Sequence, residues 1–167
     1  MSKLPRISVI TPSFNQGNFL EWTIQSVINQ GYPNLEYIII DGGSNDNSIN
    51  IIKQYESYLA YWISEPDNGQ TEAINKGLRK ATGDWVAWQN SDDIYYPGTF
   101  DELIKTATLH PEAGLIIGNI MMIDKRNQPL RDVCYVTPSY GSMRAEGMLV
   151  ANQAAFWRRS LQEKYGF

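Results

Sequence analysis

Four short apolar runs, rich in β-branched or aromatic residues and separated by segments of helical period, leave this chain few folds to choose from. Ile7-Ser8-Val9-Ile10-Thr11 stops at Pro12. The run over 35–40 ends in Asp41-Gly42-Gly43-Ser44-Asn45-Asp46. The run over 61–64 ends in Glu65-Pro66-Asp67-Asn68-Gly69, and the fourth begins at Trp85 and leads through Gln89-Asn90-Ser91 into Asp92-Asp93. Between them, Asn18 can cap a helix with Leu20, Ile24, Val27 and Ile28 on one face, closed by Gly31 and Pro33. A second helix turns Ile49, Ile52 and Tyr55 or Tyr58 inward. A third, over 71–81, carries Ala73, Ile74, Leu78 and Ala81 at helical spacing and is ended by Gly83. Strands alternating with helices imply a parallel sheet with helices on both faces, a three-layer α/β/α domain. In such a sheet the four strand ends share one edge, and open α/β sheets bind their ligands there.

Beyond Pro97 the rhythm loosens. A helix is expected over 99–109, a strand over 115–117, and a hairpin from 120–124 and 130–136 around Lys125-Arg126-Asn127-Gln128-Pro129. The sheet is therefore mixed, mainly parallel in its first half. A chain of 167 residues fits one domain, and neither repeats nor linkers divide it. The net charge of -4 lacks the basic face that a nucleic-acid partner requires. Cys134 is the one cysteine and His110 the one histidine, so neither an internal disulfide nor a histidine-rich metal site can form. The longest apolar stretch, 113–123, is broken by Gly118 and Asn119 and is too short to span a bilayer. The first residues lack the apolar core of a signal peptide. A cytoplasmic domain is expected, with peripheral attachment at the inner face of the membrane left open.

Asp92 and Asp93 emerge together at a strand's carboxyl end. Adjacent carboxylates disfavour each other's ionisation, and a divalent cation removes that conflict. Oxygen ligands suit Mg or Mn, so the pair reads as half of a site completed by a metal and an anionic ligand. Two other phosphate-binding patterns are missing: no G-x-G-x-x-G follows the first run, and there is no G-x-x-x-x-G-K-[ST].

In order along the chain stand Ser8-Val9-Ile10-Thr11-Pro12-Ser13-Phe14-Asn15, 41–48, Ser64-Glu65-Pro66-Asp67-Asn68-Gly69, Ala73-Ile74-Asn75-Lys76-Gly77, Ala81-Thr82-Gly83-Asp84 and Asn90-Ser91-Asp92-Asp93. This set of motifs, in this order, resembles glycosyltransferase family 2, inverting enzymes of the GT-A fold. The resemblance implies a nucleotide-diphospho-sugar donor, UDP-linked by preference, and a saccharide or lipid-linked saccharide acceptor, in the synthesis of bacterial surface polysaccharide. It divides the chain into a nucleotide-binding half, 1–97, and the start of an acceptor half, 98–167, cut short at its C-terminus. It sets Pro12, Phe14 and Asn15 around the base, Asp41 at base and ribose, Asp92 at the ribose, and Asp93, helped by Asp92, on the metal. Glu65, Asp67 and Gly69 fall near the diphosphate or sugar.

Two departures qualify that implication. Many relatives carry a second acid after the one matching Asp41, and here that place is Gly42. The metal motif opens on Asn90 or Ser91 where many have a third acid, which implies weak cation binding without nucleotide. Inversion also needs a carboxylate to deprotonate the acceptor hydroxyl. The resemblance puts it beyond a helix like the segment 153–161, in a stretch that would begin after Gly166-Phe167. Phe167 itself reads as the first residue of something buried. Glu146, before Gly147, is the only nearby substitute, so the catalytic base is unassigned. Without a base, a non-catalytic sugar-nucleotide-binding module is the alternative. A nucleotidyltransferase would need a basic loop after the first run, and Ser13-Phe14-Asn15-Gln16-Gly17 has no Lys or Arg. Trp85 and Trp88 can stack a sugar, but on an apolar strand they read as core. Asn75 with Gly77 reads equally as helix packing or as site. Arg158 and Arg159 read as a solvated pair on a terminal helix.

Overall fold

The computed structural model describes residues 4–146 and 150–166. Phe167 and Gly147 lie outside the described residues, and so do the expectations attached to Phe167 and to the Glu146–Gly147 junction. The elements are β1 (Ile7–Ser13), α1 (Leu20–Ile28), β2 (Leu35–Asp41), α2 (Ser48–Gln54), β3 (Tyr61–Ser64), α3 (Gln70–Lys80) and β4 (Trp85–Trp88). They continue with α4 (Thr99–Leu109), β5 (Leu115–Ile117), β6 (Ile120–Ile123), β7 (Pro129–Val133), α5 (Tyr140–Glu146), β8 (Ala155–Arg158) and α6 (Arg159–Tyr165). The main sheet has the order β3-β2-β1-β4-β8-β5, and β6 and β7 pair as a separate hairpin. The first four strands are parallel, and β8 runs antiparallel to both of its neighbours.

Alternation along the strands builds one core on each face. Ile7, Val9, Tyr37, Ile39, Trp85 and Ala87 face α1, α2 and α4, joined there by Phe100 and Phe156. Ile10, Ile38, Ile40 and Val86 face α3, which supplies Ala73 and Leu78. Gly77 lets α3 lie against β1, because a Cβ there would collide with the Ile10 side chain. That is a packing role.

The register leaves a step at the carboxyl edge of the sheet. Ser13, Asp41 and Ser64 stand in line across β1, β2 and β3, whereas β4 ends opposite Ile10. The last three residues of β1 therefore lack a neighbour on the β4 side. This step explains why β1 runs past Pro12 instead of stopping at it. The Ile10 carbonyl turns toward β4, accepting from Gln89 N–H at 2.8 Å, while Ser13 turns toward β2, accepting from Gly42 N–H at 2.8 Å. Pro12, in phase with Ile10, aims its missing donor where no strand needs one.

The opposite edge of the sheet carries a buried polar clamp. Glu36 accepts from Thr82 N–H at 2.6 Å, Thr82 Oγ1 at 2.8 Å and Ser8 Oγ, and pairs with Arg6 at 3.1 Å. Ser8 Oγ in turn accepts from Gly83 N–H, and Asp84 accepts from Arg6 N–H, both at 2.8 Å. The Thr82-Gly83-Asp84 motif thus ties the turn after α3 to β1 and β2. Burial pushes the Glu36 carboxyl up, but the donors from Ser8 and Thr82 and the Arg6 charge outweigh it and leave it below its ordinary value of 4.5. A depressed carboxyl stabilises the fold above the unfolded value and loses that contribution as pH falls through the folded one. Glu36→Gln is expected to cost about 2 kcal/mol at pH 7. In urea unfolding followed across pH, the gap from the wild type should narrow as pH falls below 4.5.

Several expectations are corrected. Asn18 does not cap α1: the N-cap is Phe19, and the first turn is held by Phe19 and Leu20 N–H groups on the Gln16 carbonyl, each at 2.9 Å. In α2, Ile51 and Ile52 are buried while Ile49 is half-buried and Tyr58 exposed, because the helix ends at Gln54. The segment 153–161 is not one helix. A short 3-10 turn leads into β8, which fills the sheet between β4 and β5, and α6 starts only at Arg159. Arg158 is correspondingly not solvated: it donates to the Ala113 and Pro111 carbonyls at 2.9 and 3.1 Å and covers the Trp85 ring. Arg159 donates to the Gly83 carbonyl at 3.1 Å and pairs with Glu163.

Candidate active site

The loops after β1 and β2 are laced together by short polar side chains. Asn15 N–H donates to Ser44 Oγ at 2.8 Å, Gln16 N–H to Ser48 Oγ at 3.0 Å, and Gly17 N–H to Asp46 Oδ2 at 2.8 Å. Asn15 returns the contact, its Oδ1 accepting from Asn45 N–H at 3.0 Å, and holds a positive φ of 53°. Asparagine tolerates that left-handed geometry. The Asp46 carboxyl is pushed up by burial but held below the ordinary aspartate value by Ser48 and Gly17. Ser44, Asp46 and Ser48 are therefore the residues that shape the first loop. Their regular spacing after Asp41 was the signal, although it does not say which chain segment they hold.

Asp41 has no exposed surface. Its Oδ2 accepts from Ser44 N–H at 2.8 Å, Gly43 N–H at 3.1 Å and Ser64 Oγ at 2.7 Å, and its Oδ1 accepts from Ser44 Oγ at 2.6 Å. The carboxylate expected at base and ribose is thus engaged inside its own turn, and what it presents outward is an ordered backbone. Pro12 is buried beside it, and the Phe14 ring, 59% exposed, stands at the rim of the β1 end.

The third loop is pinned from α3. Asn68 donates through N–H and Nδ2 to Glu72 at 3.0 and 2.6 Å, and Lys76 bridges Glu65 and Glu72 at 3.0 and 3.1 Å. Asp67 Oδ1 accepts from Gly69 N–H at 2.8 Å. Gly69, at φ 111°, is the N-cap of α3. Glu65 is thereby committed to Lys76, whereas Asp67 is half-buried with its carboxylate against Gly42.

The fourth loop brings α3 to the acid pair. Gln70 Nε2 donates to Asn90 Oδ1, and Asn90 Nδ2 donates to Asp93 Oδ2, both at 2.9 Å. From below, Thr23 Oγ1 donates to the Asp93 carbonyl at 2.8 Å, and Tyr95 N–H donates to Ser26 Oγ at 3.1 Å, fixing the turn to α1. Asp93 is half-buried, and burial, then the Asp92 charge, pushes its carboxyl up against the lowering bond from Asn90. Asp92 is exposed. One acid is held and desolvated while the other is open to solvent. A cavity of about 850 Å³ opens beside them, lined by Tyr96, Leu103, Ile117 and Met121 among others. Among the described residues no group of three or more His, Cys, Asp or Glu is placed to hold a metal ion. The pair fits a cation whose remaining ligands come from a bound anion and water, the habit of Mg.

Trp85 and Trp88 pack against the protein itself. Trp85 is 1% exposed, and Trp88 packs edge-on against Trp157 with ring centroids 5.8 Å apart. His110 is exposed at the end of α4, 3.5 Å from Glu112.

The model of the family described as "Glycosyl transferase family 2" matches residues 8–158. The chain belongs to glycosyltransferase family 2. It is 43% identical over 96 residues to an uncharacterized glycosyltransferase of Mycobacterium tuberculosis, covering 57% of this chain and 37% of the relative. It is 40% identical over 94 residues to the putative teichuronic acid biosynthesis glycosyltransferase TuaG of Bacillus subtilis, covering 53% and 36%. Among solved structures, mannosyltransferase PcManGT from Pyrobaculum calidifontis in complex with GDP-Man and Mn2+ superposes with a TM-score of 0.72 at 23% identity, covering 99% of this chain and 48% of that one. S. aureus TarS 1-349 in complex with UDP gives 0.76 at 20% identity, covering 95% and 48%. The fold of the family 2 chain is accordingly GT-A. The chain spans less than half the length of each of these proteins. Among the described residues no helix is long and apolar enough to cross a membrane.

Proposed function

We propose that this chain is the donor-binding part of an inverting glycosyltransferase. It would transfer a sugar from a nucleotide-diphospho-sugar, UDP-linked by preference, to a hydroxyl of a saccharide or lipid-linked saccharide acceptor in surface-polysaccharide synthesis. One observation carries the reading: Asp93, half-buried and tied through Asn90 to the start of α3, stands at the switch point between β1 and β4. Ligands of open α/β sheets occupy that crevice. The relatives support it, since TarS was solved with UDP-GlcNAc and PcManGT with GDP-Man and Mn2+.

In this reading the base lies on Phe14 beside Pro12 and the backbone of Asn15. Asp41 acts through the turn it organises, Asp92 reaches the ribose, and Asp93 with Asp92 holds Mg or Mn. The cation, when bound, offsets the charge of the nucleoside diphosphate. Glu65 and Gly69 set the third loop near the diphosphate or sugar, whereas Asp67, expected beside them, has its carboxylate against Gly42 at the end of β2. Residues 1–97 form the nucleotide half, and 98–167, with the cavity beside the acid pair, begin the acceptor half. The acceptor proton requires a carboxylate base, a role we assign to no residue of this chain.

Calorimetric titration with UDP, GDP and dTDP, with and without Mn or Mg, tests the reading. Metal-dependent binding of at least one nucleotide is expected, and failure of all three with both metals would overturn it.

A further inference from the structure

We propose that Asp67 selects the nucleoside base by accepting a hydrogen bond from a ring N–H on the base's edge; this rests on the donor reading above. Gly42 extends β2 by one residue, and its N–H donates to the Ser13 carbonyl at 2.8 Å. It therefore stands beside the residue that precedes the exposed Phe14 ring. A Cβ built on Gly42 would meet Asp67 Oδ2 at 3.0 Å and Oδ1 at 3.1 Å. Because residue 42 has no side chain, the carboxylate of the neighbouring loop occupies the place in front of it. The two loops abut further along as well, where a Cβ on Gly43 would lie 3.2 Å from Pro66 N.

Asp67 is also held for the task. Its Oδ1 accepts from Gly69 N–H at 2.8 Å, and Asn68 beside it is anchored to Glu72. Half-buried, it keeps part of its surface open. An ionised carboxylate only accepts hydrogen bonds. Uracil, thymine and guanine present a ring N–H on their pairing edge, while cytosine and adenine present a lone pair there. Asp67 attracts the first group through a charge-assisted bond and repels the second.

The test is calorimetry of the chain in Mn with UDP, GDP, CDP and ADP. The wild type is expected to prefer UDP or GDP over CDP and ADP. Asp67→Asn keeps an acceptor for Gly69 N–H, so the loop survives, but it should weaken the preferred nucleotide by about 10- to 100-fold and leave CDP unchanged or improved. Gly42→Ala, which displaces the carboxylate while leaving Asp67 in place, should reproduce that loss. Both variants should keep their requirement for metal, and circular dichroism checks that they fold. Unaltered UDP and GDP affinity in Asp67→Asn, or a wild type that binds CDP as tightly as UDP, overturns the inference. A wild type that binds no nucleoside diphosphate fails at the donor reading itself and takes the inference with it.

Discussion

Asp93→Ala is expected to remove metal-dependent nucleoside-diphosphate binding, with a loss of at least on the order of 100-fold. Changes in groups that merely orient a metal ligand typically cost about 10- to 100-fold, and deleting a ligand should exceed them. The comparison can be made within this site. Asn90 orients Asp93 from 2.9 Å, so Asn90→Ala should lose about tenfold in the same titration. The variant is not expected to unfold. The Asp93 carboxyl is raised by burial and by Asp92, which means its charged form is disfavoured in the fold. Removing it should leave the thermal midpoint unchanged or higher. Retained metal-dependent affinity in Asp93→Ala would take Asp93 out of the ligand role.

Trp85→Ala should have the largest effect on stability, costing about 3–5 kcal/mol, the range for truncating a buried aromatic. Trp85 is the largest fully buried side chain, paired in register with Ile7 and Arg158 and covered on one face by the Arg158 guanidinium. In a domain of this size that cost lowers the thermal midpoint by roughly 10 °C, readable by circular dichroism. If Trp85 instead stacked a sugar, the midpoint would hold and donor affinity alone would fall.

The contrast between these two residues separates what was readable from what was not. Asp92 and Asp93 could be placed from sequence because an apolar run followed by two acids leaves them little choice but the strand's carboxyl end. The convergence of four loops likewise follows from parallel strands. Glu36 was unreadable in this way. It sits inside an apolar run, and its partners Arg6, Ser8 and Thr82 come from two other stretches of chain. Asp41 was legible as a loop-forming acid at a strand end. Its engagement by Ser44 and Ser64 depends on the neighbouring strand ending in line with it.

The segment 153–161 shows tertiary context overriding local preference. Gln153-Ala154-Ala155 favours a helix. Phe156, however, stacks on Tyr95 at 5.7 Å and meets Phe100 edge-on at 6.1 Å. The extended backbone that delivers it there also pairs with β4 and β5. Strand preference of this kind reflects packing against neighbours more than the residue itself.

Local physics, written in the order of residues, was enough to set the alternation of strands and helices, the edge where four loops converge and the acids that stand on it. Period, turn chemistry and the incompatibility of adjacent charges act over a few residues and survive without knowledge of the rest. Which acids remain free to act was decided only by the folded structure. Asp41 and Glu65 are closed off by partners, Asp93 is oriented through Asn90, and Asp67 comes to lie where Gly42 leaves room. Hydrogen-bond satisfaction depends on which distant donor arrives within about 3 Å, and that is a property of the packed sheet.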